Sequence, residues 1–383
     1  MTRWAIIGDF SHPNYLGGAA RHVYDLAREF RRRGIECCLA TRRPDGFYGL
    51  GIKDKFWEQL KAEGRLAEFG KTEMMLPWRY WKTVRGADVV NVHHPIMGFW
   101  GGLLAKAMGK ALIYNFHGPL CEEYRAKGGR NFLVIWMYRW LQNLLLRLAD
   151  AIWVHSDYMR GLCCRLCQSC GGKIRQLPGY VDVRRYHPTR KDARRSIRQR
   201  LGWREDGSFI LTCRRLTPRT GVLELARMWP ETVQRLAKPA TLVICGRGEL
   251  EPEIRRAAGE GVKVMGYVEE ELLPDVYRAC DMCLLPSREL EGFGLVVLEG
   301  FACGLPVLVS SLSGGAAEFV RTINPAWIYD TDDPRDLARA INGVLAAQND
   351  GLTERGLVDV ATAHDLSRLA DAYLELADVL PKK

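Results

Sequence analysis

The chain has 383 residues, 47% of them apolar and 26% charged, with a formal net charge of +10. This is the composition of a soluble globular protein, and the length exceeds one typical core, which predicts two domains. The chain lacks a run of about 18 uncharged apolar residues and a basic segment ahead of an apolar one, so a spanning helix and a secretory leader are not expected. The positive charge leaves three partner classes open: nucleic acid, an anionic membrane surface or an anionic substrate. Twelve cysteines without a leader point to reduced thiols in a cytoplasm.

The chain begins with a predicted strand, Trp4–Gly8, a glycine turn within 15–20, and a helix, Arg21–Arg33, whose apolar residues Val23, Leu26, Ala27 and Phe30 follow the 3.6-residue period. Gly17 and Gly18 precede that helix. A glycine turn there suits an anion, and a plain strand–helix turn fits equally well. It is not G-x-G-x-x-G, so a dinucleotide fingerprint is absent. A strand over Glu36–Ala40 follows, and 51–85 reads as charged helix with an aromatic-basic patch at 78–82.

Strands over Asp88–His93 and Ala111–Phe116 each end near histidines: His93 and His94, then His117. A strand-end histidine stands where α/β sheets bind ligands, although a hydrogen-bonded core histidine fits these positions too. Leu133–Leu148 reads as a very apolar helix with two Trp, one Tyr and two Arg. Buried packing explains it, and so does a membrane-surface or lipid-acceptor face.

A strand over Ala151–His155 leads to a helix from Ser156. That helix carries Cys163, Cys164, Cys167 and Cys170. The spacing of Cys163, Cys167 and Cys170 matches that of radical-SAM iron–sulfur enzymes, but the mid-chain helical context does not. Buried helical thiols are the expectation, with a metal or redox site as alternatives. Ile174–Leu177 is a further strand. Arg184–Arg204 holds nine Arg or Lys and one acid, and reads as a linker with a first solvated helix. No recognition motif or aromatic interleaving supports a nucleic-acid arm.

The second half starts with a strand, Phe209–Cys213, and a loop holding Arg214, Arg215 and Arg219, which opens a helix at Val222. Arginine forks at a helix start suit a diphosphate. Ala240–Cys245 and Val262–Met265 are strands, the first ending in Gly246-Arg247-Gly248. Leu272–Ala279 is a helix.

The most informative stretch is 284–318. A strand, Met282–Leu285, runs into a Gly/Ser/Glu loop over 286–294. An apolar helix, Leu295–Cys303, and a strand, Val307–Ser310, follow. Gly292 and Gly294 lack Cβ atoms, so ligand oxygens can approach the backbone N–H groups. The helix opening at Leu295 aims its free N–H groups at the same space. Glu291 and Glu299 would repel a phosphate and suit neutral hydroxyls instead. Carboxylates on both sides of a phosphate-binding helix start describe a site for a nucleotide sugar.

These motifs carry a resemblance. E-G-F-G-L-x-x-x-E over 291–299, then G-x-P-V and G-G-x-x-E, resemble the signature of the retaining GT-B glycosyltransferases of family 4 (glycosyltransferase group 1). The resemblance implies two doubly wound Rossmann-like α/β domains facing across a cleft. On it, residues 1–180 form the acceptor side, 181–363 bind the nucleotide sugar, and the helix in 364–383 crosses back to the first domain. It puts Glu291 at the donor sugar and Glu299 at the ribose, with Gly292, Phe293, Gly294 and Leu295 around the diphosphate. Gly17 and Gly18 would lie under that diphosphate, Gly246 near the base, and His117 beside the transferred sugar.

The family's R-L-x-x-x-K-G puts its arginine on Arg215. Its lysine position is Thr220, which cannot carry charge, and a variant R-R-L-x-x-R-x-G moves the second cation to Arg219. Gly179-Tyr180 stands where Asn-Gly is usual. Asp330-Thr331-Asp332 imitates the D-x-D metal motif of another glycosyltransferase fold, yet an Asp N-cap with Pro at N1 explains it without metal.

The implied activity is hexose transfer from a UDP- or GDP-sugar to an acceptor hydroxyl on a saccharide, lipid-linked saccharide or small molecule. His117, Glu291 and Arg215 are the expected catalytic groups, and no cofactor, metal or nucleic acid is expected. The expected location is cytoplasmic, with peripheral membrane contact in view. The rivals are a nucleotide-sugar epimerase or phosphorylase on the same fold, and a non-catalytic basic nucleic-acid or membrane-surface binder.

Overall fold

The computed structural model describes residues 2–9, 17–42, 55–70, 73–177, 179–347 and 351–381. The chain divides into two units. One comprises 1–178 with 366–383, the other 179–365.

In the first unit β1 (Trp4–Gly8), α1 (Gly18–Arg32), β2 (Cys37–Arg42), α2 (Lys55–Ala62), β3 (Leu66–Phe69), α3 (Trp81–Arg85), β4 (Val89–Val92), α4 (Pro95–Ala107) and β5 (Ala111–Asn115) follow in order. Then come α5 (Leu120–Ala126), α6 (Phe132–Leu148), β6 (Ala151–Val154), α7 (Asp157–Leu166) and β7 (Ile174–Gln176). The seven strands pair in parallel in the order β3-β2-β1-β4-β5-β6-β7. Strands buried on both faces read as continuous apolar runs, which is why β1, β4, β5 and β6 were legible.

The helix expected across 51–85 is corrected. Gly64 ends the α2 turn with a φ of 68°, and Leu66–Phe69 adds to the β2 edge as β3. Four residues, three of them half-buried and only Phe69 buried, are too few to show a period.

The second unit contains α8 (Lys191–Arg200), β8 (Ser208–Cys213), α9 (Val222–Val233), β9 (Ala240–Cys245), α10 (Glu251–Ala257), β10 (Val262–Gly266), α11 (Leu273–Ala279) and β11 (Met282–Leu285). It continues through α12 (Leu295–Ala302), β12 (Val307–Ser310), α13 (Gly314–Ile323), β13 (Ile328–Tyr329), α14 (Pro334–Ala347) and α15 (Gly351–Ala363). The strand order is β10-β9-β8-β11-β12-β13, again all parallel. The last helix, α16 (Leu366–Val379), returns to the first unit and packs on α1. Arg33 there pairs with Asp371 at 2.5 Å and bonds the Ser367 carbonyl at 2.7 Å.

Three further expectations are corrected. The basic stretch over 184–204 is not wholly solvated. Arg198 is buried, pairs with Asp281 at 2.8 Å and donates to the Ala279 and Glu205 carbonyls, so it holds α8 to the sheet. Cys167 and Cys170 lie beyond the end of α7 and are joined as a disulfide, whereas Cys163 and Cys164 are free on the helix. At the start of α14, Asp333 accepts from Arg335 N at 2.8 Å, while Asp332 pairs with Arg288 at 2.6 Å. The D-x-D aspartate is thus one partner of a surface ion pair, and its neighbour makes the cap.

Candidate functional sites at two sheet edges

Each sheet reverses its direction of growth once: at β1/β4 in the first unit and at β8/β11 in the second. At such a switch point the loops after two adjacent strands diverge, leaving a crevice at the carboxyl edge.

In the second unit the loop after β8 supplies Arg214, Arg215 and Arg219, and the loop after β11 supplies Ser287 and Glu291. Arg214 forms an ion pair with Glu291 Oε2, and its Nη1 donates to Ser287 Oγ at 2.6 Å. Ser287 Oγ in turn donates to Glu291 Oε2 at 2.8 Å. Burial alone would push the Glu291 carboxyl up. The Arg214 and Arg219 guanidiniums outweigh it and hold the group below its ordinary range, ionised. Glu291 Oε1 has no hydrogen-bond partner among the described residues, so one carboxylate oxygen is left to accept from a ligand.

Arg219 is half-buried and reaches the Leu290 carbonyl at 3.3 Å. Leu290 sits at a φ of 54°, a conformation an ordinary side chain avoids at a cost of roughly 1–2 kcal/mol. A buried hydroxyl cluster holds the loop from behind. Ser310 and Ser313 both donate to the Ser287 carbonyl, at 2.7 and 3.1 Å, and Ser310 Oγ meets Thr331 Oγ1 at 2.8 Å.

Two glycines let these loops close up. A Cβ on Gly221 would lie 1.9 Å from the Pro286 carbonyl oxygen, and one on Gly246 would lie 1.7 Å from that of Arg214. Both also have positive φ, 70° and 136°. Gly246 thus lets the end of β9 press against Arg214. Thr220 stands at the family's lysine position and is buried. Its hydroxyl lies 2.8 and 2.7 Å from the Arg215 and Thr217 carbonyls, closing the turn before α9.

Arg215 is exposed. Gly292 is half-buried, and Gly294 is the N-cap of α12, with Leu295 as its first residue. Phe293 is buried against Phe319 and His364, its ring 4.8 Å from that of Phe319. Gly179 lies against that ring, where a Cβ would approach within 2.1 Å, so glycine at this departure from Asn-Gly has a packing reason. Glu299 is buried one turn into α12 and accepts a hydrogen bond from the Tyr277 hydroxyl. Sequence reasoning gives no separate role to Arg214, Ser287 or Tyr277. The doubled arginine in R-R-L is the only available signal for Arg214.

In the first unit the sheet edge gathers four histidines. His93 follows β4, His117 follows β5, His155 follows β6, and His22 projects from α1. Ring centroids lie 5.2 Å apart for His22–His93, 5.3 Å for His93–His117, 5.4 Å for His22–His155 and 5.6 Å for His117–His155. Burial lowers all four, and their mutual repulsion lowers His22, His93 and His117 further. His117 is brought to about 3 and His155 to about 4, so the cluster is neutral near pH 7.

A hydrogen-bond chain gives the protons a direction. The Asn91 amide nitrogen, which can only donate, meets His93 Nε2 at 3.0 Å. His93 must therefore carry its proton on Nδ1, which donates to His117 Nε2 at 3.0 Å. His117 then keeps its own proton on Nδ1, an N–H without a partner among the described residues. Behind Asn91 stand Asn115, which donates to its carbonyl oxygen, and Tyr373 of α16, which donates to Asn115 and contacts His22 Nε2 at 3.0 Å. His94 stands apart from this chain, and its Nδ1 caps α4 by accepting from Met97 N at 3.4 Å. Gly17, the N-cap of α1, has a φ of 142°, and Gly18 begins the helix beside open space. Residues 15 and 16 of the glycine turn lie outside the described residues.

Comparison with known proteins follows the same division. A family model described as Glycosyltransferase Family 4 matches residues 16–185, and one described as Glycosyl transferases group 1 matches residues 207–347. Over 160 residues the chain is 35% identical to the GDP-mannose-dependent monoacylated alpha-(1-6)-phosphatidylinositol monomannoside mannosyltransferase of Corynebacterium glutamicum. That match spans 39% of this chain and 40% of the relative's length. It is 26% identical over 364 residues to D-inositol 3-phosphate glycosyltransferase 2 of Catenulispora acidiphila, covering 86% and 82% of the two chains. Among solved structures, HepE of Anabaena in complex with UDP and glucose superposes with a TM-score of 0.75 at 19% identity, covering 99% of this chain and 100% of that one. Sucrose-phosphate synthase of Thermosynechococcus elongatus gives 0.76 at 19% identity over 99% and 98%. At such identities the likeness is one of fold.

Proposed function

This chain belongs to the group 1, family 4 glycosyltransferases, and we propose that it moves a hexose from a nucleotide-diphosphate sugar to an acceptor hydroxyl with retained anomeric configuration. The observation that carries the reading is the ionised Glu291, clamped through Oε2 by Arg214 and Ser287 and standing three residues before Gly294, the N-cap of α12. A carboxylate held this way accepts from sugar hydroxyls. A helix start flanked by arginines accepts the diphosphate.

As the glycosidic bond breaks, negative charge builds on the β-phosphate oxygens. Arg215, Arg219 and the first N–H groups of α12 stabilise that charge more in the transition state than in the ground state. Arginines meet the leaving group here, so the reading requires no metal. Glu299, oriented by Tyr277, accepts from the ribose. His117 offers its Nδ1–H to a sugar oxygen and acts as a donor. The proposed location is cytoplasmic.

The donor base is uracil or guanine in this reading. The Corynebacterium relative's name specifies GDP-mannose, and HepE was solved with UDP. The relatives' names also support a hydroxyl-rich acceptor of the inositol or mannoside type.

The test is a thermal-shift screen of UDP-, GDP- and ADP-sugars, followed by product analysis with and without acceptor. One UDP- or GDP-sugar should raise the melting temperature by mass action, and Glu299→Ala should weaken that shift. Arg215→Ala should lower turnover roughly a hundredfold, as loss of an oxyanion donor does. A C2-epimer formed from donor alone, or strict dependence on free phosphate, would instead identify an epimerase or a phosphorylase. Salt-sensitive binding to DNA without any response to nucleotide sugars would identify a polyanion binder.

A further inference from the structure

The first unit carries a helix that is apolar on both faces. The inner face of α6 buries Gln142, Leu145 and Leu146, and Gln142 bonds Leu120 N at 2.9 Å and the Gly118 carbonyl at 2.9 Å. The outer face presents Phe132, Leu133, Trp136, Met137 and Trp140, which are 73, 60, 64, 44 and 50% exposed. Their spacing along the helix places them on one side. A helix apolar all round is normally enclosed, and single exposed hydrophobes are ordinary, but five contiguous ones on one face are not.

The charge around this face has one sign. From Lys127 to Leu148 the chain holds four cations, Lys127, Arg130, Arg139 and Arg147, and no acid. None of the four has a carboxylate partner among the described residues, whereas neighbouring Arg125 pairs with Glu122 and Lys106 with Asp150. Right-handed crossovers put α3, α4 and α6 on the same side of the sheet, and α4 packs against both of the others. The exposed Trp78 and Trp81 therefore extend the same helical layer.

We infer that this face docks on an anionic lipid bilayer, with α6 lying in the interface. Trp and Phe suit the headgroup–acyl boundary, and the unpaired cations meet lipid phosphates. The helix has 17 residues, and no helix among the described residues is long and apolar enough to cross a membrane, so the contact is peripheral. A polyanion such as nucleic acid would use the cations but leave the exposed indoles and Phe132 in water. This inference does not depend on the proposed sugar transfer.

The test is sedimentation of the full chain with phosphatidylcholine vesicles, with and without phosphatidylglycerol, at low and high salt. The expected result is binding to the anionic vesicles alone, weakened by salt. It should fall roughly tenfold or more in Trp136→Ser/Trp140→Ser and also in Arg130→Gln/Arg139→Gln. The second pair alters only exposed side chains, and circular dichroism establishes that each variant is folded. No binding to anionic vesicles, or equal binding to neutral ones, overturns the inference. So does concentration-dependent dimerisation, seen by analytical ultracentrifugation and abolished by the tryptophan substitutions, because the face would then be covered by a second copy of this chain.

Discussion

His93 donates from Nδ1 to Nε2 of His117 at 3.0 Å, and it can do so because the Asn91 amide occupies its other nitrogen. That single bond determines the proton position on His117, the proposed donor to a sugar oxygen. Four neutral imidazoles packed at one sheet edge would otherwise have many tautomeric arrangements.

The first prediction concerns that proton. ¹⁵N-edited NMR of histidine-labelled protein should show His117 protonated on Nδ1 at neutral pH. His93→Phe removes the donor and should give His117 a mixture of tautomers while leaving the fold intact. A wild-type His117 protonated on Nε2 would overturn the proton order that starts at Asn91.

The cluster also makes stability depend on acid. Each of the four histidines has a folded pKa below its unfolded value of about 6.5. Between that value and about 3–4 the unfolded chain binds more protons than the folded one, so stability falls as the pH drops. Each fully titrating histidine contributes a slope of about 1.4 kcal/mol per pH unit. Urea denaturation from pH 7 to 5 should therefore show a steep loss, reduced in His22→Gln or His155→Gln. A stability flat over that range would contradict the neutral cluster.

Arg214→Ala leaves the Glu291 carboxylate buried without its counter-ion. The expected cost is roughly 3 kcal/mol in chemical denaturation, because a stranded buried charge is worse than an absent pair. Arg214→Ala/Glu291→Gln should recover part of that loss. A double-mutant cycle with no coupling between the two would show that they do not form the clamp.

Gly246→Ala should cost roughly 2–4 kcal/mol, since its methyl group would sit inside the Arg214 carbonyl and its backbone has positive φ. Gly259→Ala, with nothing within 4 Å of the added methyl, is the control and should be near neutral. Equal melting temperatures for both variants would mean that the β9 turn does not press on Arg214.

Much of this architecture was legible in the chain alone. Strands enclosed by helices on both faces read as unbroken apolar runs, so Ala240–Cys245, Met282–Leu285 and Val307–Ser310 could be bounded to the residue. The glycine-rich loop between the last two, and its flanking glutamates, point to the proposed ligand type because few chemistries use carboxylates next to a helix start. The edge strand Leu66–Phe69 and the burial of Arg198 were not legible. Both depend on a partner distant in sequence: β2 for one, Asp281 for the other.

The same distinction separates Arg214 from Arg215. Adjacent in the chain and identical in chemistry, they leave the end of β8 in different directions. Only the pairing of β8 with β11 brings the first onto Glu291, 77 residues away. Likewise, four histidines scattered from 22 to 155 become one cluster only because the loops after β4, β5 and β6 and the first helix converge on one sheet edge. Local sequence specifies what a residue can do; strand order decides which residues do it together.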